Sequence, residues 1–243
     1  MQLEINKLTL TDIFALSSFI KERVEDLSTL EEVAQEIMKG LSGIFVTSEG
    51  KSEFVLSRFF KSCTYEKLPK AVQEYIQRTE GKKEIPPQNK YLTLLGTWGD
   101  LKDWQDRARS NGHQALPLYD PQTIREIPML SATLNQIGFD IDEIVKPDKS
   151  IIIDKQDKEY GVFSVEEAKG SKFIPRQQDF VEPFGVKSVF GFGSMYKTKS
   201  LYGIIIFSRV KISAQKARLF LSLNPVIKLV TLKHELTGNL FKS

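Results

Sequence analysis

Cysteine is almost missing from this chain: Cys63 stands alone among 243 residues. An intrachain disulfide framework and a cysteine-based zinc site are both excluded. A reducing, cytoplasmic setting is expected. Histidine is nearly as scarce, with His113 and His234 the only two. Neither has an elbow or triad context, so no nucleophile–base–orienter set can be assembled, and no enzyme is expected. Long apolar runs are missing too. The longest, Leu201 to Phe207, falls far below the roughly 18 residues that span a bilayer. The start, Met1-Gln2-Leu3-Glu4, lacks the pattern of a signal peptide. No membrane partner is expected. The 34 basic and 31 acidic residues leave a net charge of +3. The densest basic step, Lys82-Lys83 near Lys90, is too short for a phosphate-binding arm, so no nucleic acid is expected.

What is present can build a core. Apolar residues make up 41% of the chain, with sixteen phenylalanines among them. That composition excludes wholesale disorder and suits one large domain with helical extensions.

Apolar spacing predicts a helix over 11–27, capped by Thr11 or Asp12, and a second over 29–41. Ser28 with Glu31, or Thr29 with Glu32, offers a capping box for the second. Strands follow at Ile44-Phe45-Val46 and Glu53 to Phe60, joined by a turn at 48–51. In the second of these, Phe54, Leu56 and Phe60 alternate, with Arg58 in the same phase. A short helix over 69–78, a strand over 91–95, a polar loop over 96–117 and a helix over 123–138 come next. A loop through Pro147 leads to Ile151-Ile152-Ile153. Strands are expected at Tyr160 to Val165, Lys187 to Tyr196 and Leu201 to Ser208, and a long helix over 213–236 closes the chain. Strands joined by short turns predict an α+β fold: a central antiparallel sheet of about five to six strands flanked by helices, with the N- and C-terminal helices packed together.

Four blocks in order carry a resemblance. They are Tyr91 to Asp100 (YLTLLGTWGD), Arg107 to Leu118 (RARSNGHQALPL), Glu167 to Gly193, and Ile205 to Arg209 (IIFSR). Together with the closing hairpin and final helix, this order resembles the GAF family, and more narrowly a GAF-like sensory module of bacterial signalling proteins. The likeness spans roughly residues 30–235. It implies a 1–28 helical extension, a 29–236 sensor domain and a 237–243 tail. It also implies a small-molecule pocket on one sheet face, under the loops 96–118 and 166–186.

Those loops hold Trp98, Trp104, Arg107, Arg109, His113, Phe173, Arg176 and Phe180. Aromatic walls with a few polar anchors suit a small ligand, while the plainer reading is that they tie long loops to the body. The expected ligand-binding set is Trp98, Trp104, Arg107, His113, Phe173, Arg176 and Phe180; no cofactor is indicated. A metal or haem role for His113 lacks a partner at ligand spacing. Cys63 lacks the neighbouring His of pigment-bearing relatives and reads as a passive thiol. Glu166, Glu167, Asp179 and Glu182 are interleaved with Lys169, Lys172 and Arg176, as in a solvated, salt-bridged loop. Gly191-Phe192-Gly193 lacks the context of a phosphate loop and reads as close backbone approach.

The last helix is apolar nearly all round and needs cover on several sides. A homodimer through the terminal helices is therefore expected, with charge at Leu223 or Val230 splitting it. Pro225 should interrupt that helix. The resulting expectation is a sensory or regulatory module that binds a small molecule and signals through dimer or signalling-partner contacts. The alternative is an interaction module with a degenerate pocket.

Overall fold

The computed structural model describes residues 1–110, 112–146 and 160–242. The fold is α+β. Six antiparallel strands form one sheet in the order β3-β2-β1-β6-β5-β4. They are β1 (Phe54–Thr64), β2 (Lys90–Gly99), β3 (Ala115–Pro117), β4 (Phe163–Val165), β5 (Ser188–Met195) and β6 (Leu201–Ser208). Helices cover both faces. On one side lie α1 (Leu10–Val24), α2 (Leu30–Ile44), α3 (Lys70–Glu80), α7 (Ala214–Arg218) and α8 (Asn224–Thr237); on the other lie α4 (Pro121–Arg125), α5 (Pro128–Ile137) and α6 (Ile141–Val145). The terminal helices α1 and α8 touch each other. The segment expected at Ile151-Ile152-Ile153 lies outside the described residues.

Capping explains where the first helices begin. Thr9, rather than Thr11 or Asp12, caps α1, in a reciprocal box with Asp12. Thr29 and Glu32 form the same box on α2. The α2 stripe continues through Leu41 and Ile44, so the strand expected at 44–46 does not form; Phe45 and Val46 make isolated bridges to Leu3 and Ser52. The helix expected over 123–138 divides at Pro128, which cannot donate within a helix but fits the first turn of α5. Gly138 closes α5 with φ 99°, a left-handed conformation that glycine adopts freely. The long terminal helix is broken likewise. A 3₁₀ turn over Leu219–Leu223 precedes α8, and Pro225 sits in the first turn of α8.

The sheet separates two cores. Along β6, Tyr202, Ile204 and Ile206 face α1, α2 and α8, while Leu201, Ile205 and Phe207 face α4, α5 and α6. Irregular pairing between Phe54 and Leu56 breaks the alternation of β1. Phe54 enters the first core, whereas Val55, Leu56 and Phe60 enter the second. Arg58 thereby lies on the same side as Leu56 and Phe60. Residues of the expected extension and tail are part of the first core: Ile5, Leu8 and Leu240 are buried in it.

Candidate functional site

A cavity of about 130 Å³ lies between the sheet and α5. Its floor is Arg58 and Phe60 of β1, Leu92 of β2, and Leu201, Gly203, Ile205 and Phe207 of β6. The roof is Ile127, Phe139 and α5, through Met129, Leu130, Thr133, Leu134 and Ile137. His113 and Leu116, in and beside β3, form one side.

Only a few polar groups reach this apolar space. Arg58 is the main one. Its Nη2 donates to Ser110 Oγ at 3.2 Å and its Nη1 to the Gly112 carbonyl at 3.4 Å. Its Nε is buried and has no hydrogen-bond partner among the described residues. Both acceptors are neutral, and among the described residues no carboxylate pairs with the guanidinium. Burial, with repulsion from Arg176, lowers its pKa to about 10, so it remains a cation at neutral pH. Thr133 contributes a second such atom: its hydroxyl is buried and has no partner among the described residues. Native proteins satisfy nearly all buried polar atoms, so two orphans, one in the floor and one in the roof of the same cavity, call for an explanation.

His113 completes the set. Its backbone has φ 57°, a conformation few residues other than glycine adopt. The residue is exposed and also lines one side of the cavity. Burial of that ring, then Arg58 and Arg176, pull its pKa down to about 4, so it is neutral at pH 7. Gly203 shapes the floor. In mid-strand β6 a Cβ at this position would meet no atom within 4 Å. By contrast, a Cβ on Gly191 would lie 2.4 Å from Ile205 Cδ1. The first glycine leaves room; the second is needed for close packing.

The residues expected from the sequence are spread over several places. His113 alone lines the cavity. Trp104 and Phe180 sit beside it in an aromatic cluster. Trp104 lies 5.6 Å from Phe180 and 4.7 Å from Phe184, and Phe180 lies 5.0 Å from Phe207 of the floor. Phe173 packs edge-on to Phe163 of β4. Arg176 is exposed and bonded to Asp179 at 2.8 Å, influencing the cavity through charge alone. Trp98 and Arg107 are on the other side of the sheet. Trp98 belongs to β2, which runs on through Gly99, and its ring packs against the first core under Lys39. Arg107 is paired with Glu31 of α2 at 2.8 Å and lies over the Phe241 ring. Arg109 stays outside, 3.8 Å from Asp106. The excursion over 166–186 thus buttresses the cavity, and α5 rather than that excursion forms its roof.

Arg58 was visible as a cation in phase with Phe54, Leu56 and Phe60, which is the signal that could have singled it out. Other candidates are occupied elsewhere. Cys63 is buried in β1, where burial pushes its thiol pKa up, away from a reactive thiolate. Glu167, Asp179 and Glu182 form exposed ion pairs with Lys211, Arg176 and Lys169. Glu166 accepts the Ala214 N–H at the start of α7. Among the described residues, no cluster of His, Cys, Asp and Glu could hold a metal, and no helix is long and apolar enough to cross a membrane. No protein-family model and no curated protein matches the chain.

Proposed function

We propose that this chain is a GAF-like sensory or regulatory module that binds a small molecule in the cavity beneath α5. The observation that carries this reading is the pair of buried polar atoms without a partner among the described residues, Arg58 Nε and Thr133 Oγ1, in a largely apolar pocket. An apolar cavity with a few convergent polar groups is the form that small-ligand sites take. The resemblance to the GAF family implies a pocket on one sheet face under the loops 96–118 and 166–186; this cavity lies on one sheet face with α5 as its roof.

The occupied site would report through β6. Leu201 and Gly203 floor the cavity, while Tyr202 between them points to the opposite face and donates to Asn224 Oδ1 at 2.8 Å. Asn224 begins α8, which touches α1. These two helices expose Leu10, Phe14, Leu229, Leu232 and Leu236. That apolar stripe supports output to a second copy of the chain or to a signalling partner. It also favours the second reading, an interaction module whose cavity stays empty. Leu223 is fully buried in the monomer, so charge there breaks the core rather than a dimer; Leu232 is the informative position.

Native mass spectrometry of freshly purified protein, backed by thermal shift against a metabolite panel, tests the binding reading. A retained or stabilising small molecule that is lost in Gly203→Leu supports it. A bare protein unmoved by any compound sinks it and leaves the interaction module.

A further inference from the structure

We infer that the ligand is a small organic acid with one carboxylate and an apolar body no larger than a single ring or a short branched chain. This deepens the proposed function and rests on the cavity being a binding site.

Charge is the first argument. Among the described residues, Arg58 is the one charged group lining the cavity. Among the described residues its partners are two neutral oxygens, and its Nε has none. A guanidinium presents a planar fork that matches a carboxylate, and such charge-assisted bonds are about twice as strong as neutral ones. A single cation suits a single anion. Neutral His113 adds no charge at pH 7, and Arg176 is held outside by Asp179. A phosphate monoester would bring a second negative charge with no second cation to meet it among the described lining residues.

Shape is the second argument. About 130 Å³ is close to the roughly 150 Å³ of an apolar cavity that takes up benzene. The walls beyond Arg58 are aromatic and aliphatic, with Phe60, Leu134 and Phe207 among them. Gly203 keeps the centre of the floor open, since any side chain there would occupy the space a ligand body requires. Thr133 provides one further hydroxyl, able to donate to an acid oxygen.

The test is isothermal titration of the full chain with benzoate, benzamide and phenyl phosphate, repeated on Arg58→Gln and Gly203→Leu. Benzamide keeps the ring and removes the charge; phenyl phosphate keeps the ring and doubles the charge. We expect benzoate to bind at least about tenfold more tightly than either, Arg58→Gln to weaken benzoate by about 10–100-fold, and Gly203→Leu to abolish binding of all three. Benzamide or phenyl phosphate binding as tightly as benzoate, with loss in Gly203→Leu, overturns the acid assignment and leaves the cavity reading intact. Benzoate binding unchanged by Arg58→Gln does the same. Binding of no probe overturns the acid assignment; the metabolite panel then decides the cavity reading separately. Should Arg58→Gln fail to fold, the wild-type ratio of benzoate to benzamide affinity decides the matter.

Discussion

Two cations sit three residues apart on β1 and face opposite sides of the sheet. Lys61 is fully answered. Its ammonium lies 2.8 Å from Glu235 of α8, and both side chains are almost completely buried. Lys61 also donates to the Ser62 carbonyl, while Thr198 and Ser200 donate to Glu235 at 2.6 Å. Arg58 shares the strand but is only half-buried, with its Nε enclosed and no counter-charge among the described residues. An unpaired buried cation costs far more than a satisfied pair. The difference separates a charge that ties α8 to the sheet from one that the proposed function assigns to a ligand.

Breaking the satisfied side should have the largest effect. Glu235→Ala strands Lys61 in the interior, and urea unfolding should show a loss of about 3–5 kcal/mol. A loss below about 1 kcal/mol would mean that water reaches Lys61 and that the two cations are alike.

Acid should sharpen the contrast next. Burial raises the Glu235 carboxyl, but Lys61 and the bonds from Lys61, Ser200 and Thr198 outweigh this, so its pKa is lowered. Its contribution to stability is present above the ordinary carboxylate pKa of 4.5 and is lost as pH falls through the lower folded value. His113 acts in a higher window. Its folded pKa is about 4 against 6.5 unfolded, so the unfolded chain takes up the proton first and stability falls as pH drops from 6.5 towards 4. Unfolding followed against pH should show both limbs, and His113→Gln should remove the upper one. A His113→Gln profile identical to wild type would place that ring in water.

On the open side the effect on stability is small. Filling the floor with Gly203→Ala meets no neighbour and replaces a flexible residue within a strand, so a gain of about 0.5–1 kcal/mol is expected. A comparable loss would show that the space is closed. The smallest effect on folding belongs to Leu232→Glu, on the exposed face of α8. The monomer's stability should change by less than about 0.5 kcal/mol, while sedimentation should show any self-association abolished. Association unchanged by this charge would direct the interface elsewhere.

Sequence patterning reached the fold more readily than the site. β6 runs from Leu201 to Ser208, as its apolar run and the turn at Lys197 to Ser200 predict. The Thr29–Glu32 box and the α+β arrangement were legible for the same reason: local chemistry determines them. Pro225 marked an interruption but not its form, and the helix expected over 123–138 ran across Pro128; both prolines start helices here. The site was less legible because it depends on partners distant in sequence. Nothing near Lys61 announces Glu235, and nothing near Arg58 announces the lack of an equivalent. The aromatic loops drew attention to Trp98 and Arg107, yet strand continuation and Glu31 place both against the other face. The helix α5 was expected, but its role as a roof follows from packing alone.

The most direct test of the central claim is to replace each cation by an apolar residue of similar length and measure unfolding free energy in urea. Arg58→Met should match or exceed wild-type stability, because it removes a half-buried guanidinium with no counter-charge among the described residues. Lys61→Met should lose about 3–5 kcal/mol, because it leaves Glu235 buried alone. Equal losses in the two variants would contradict the account and make Arg58 a structural residue like Lys61.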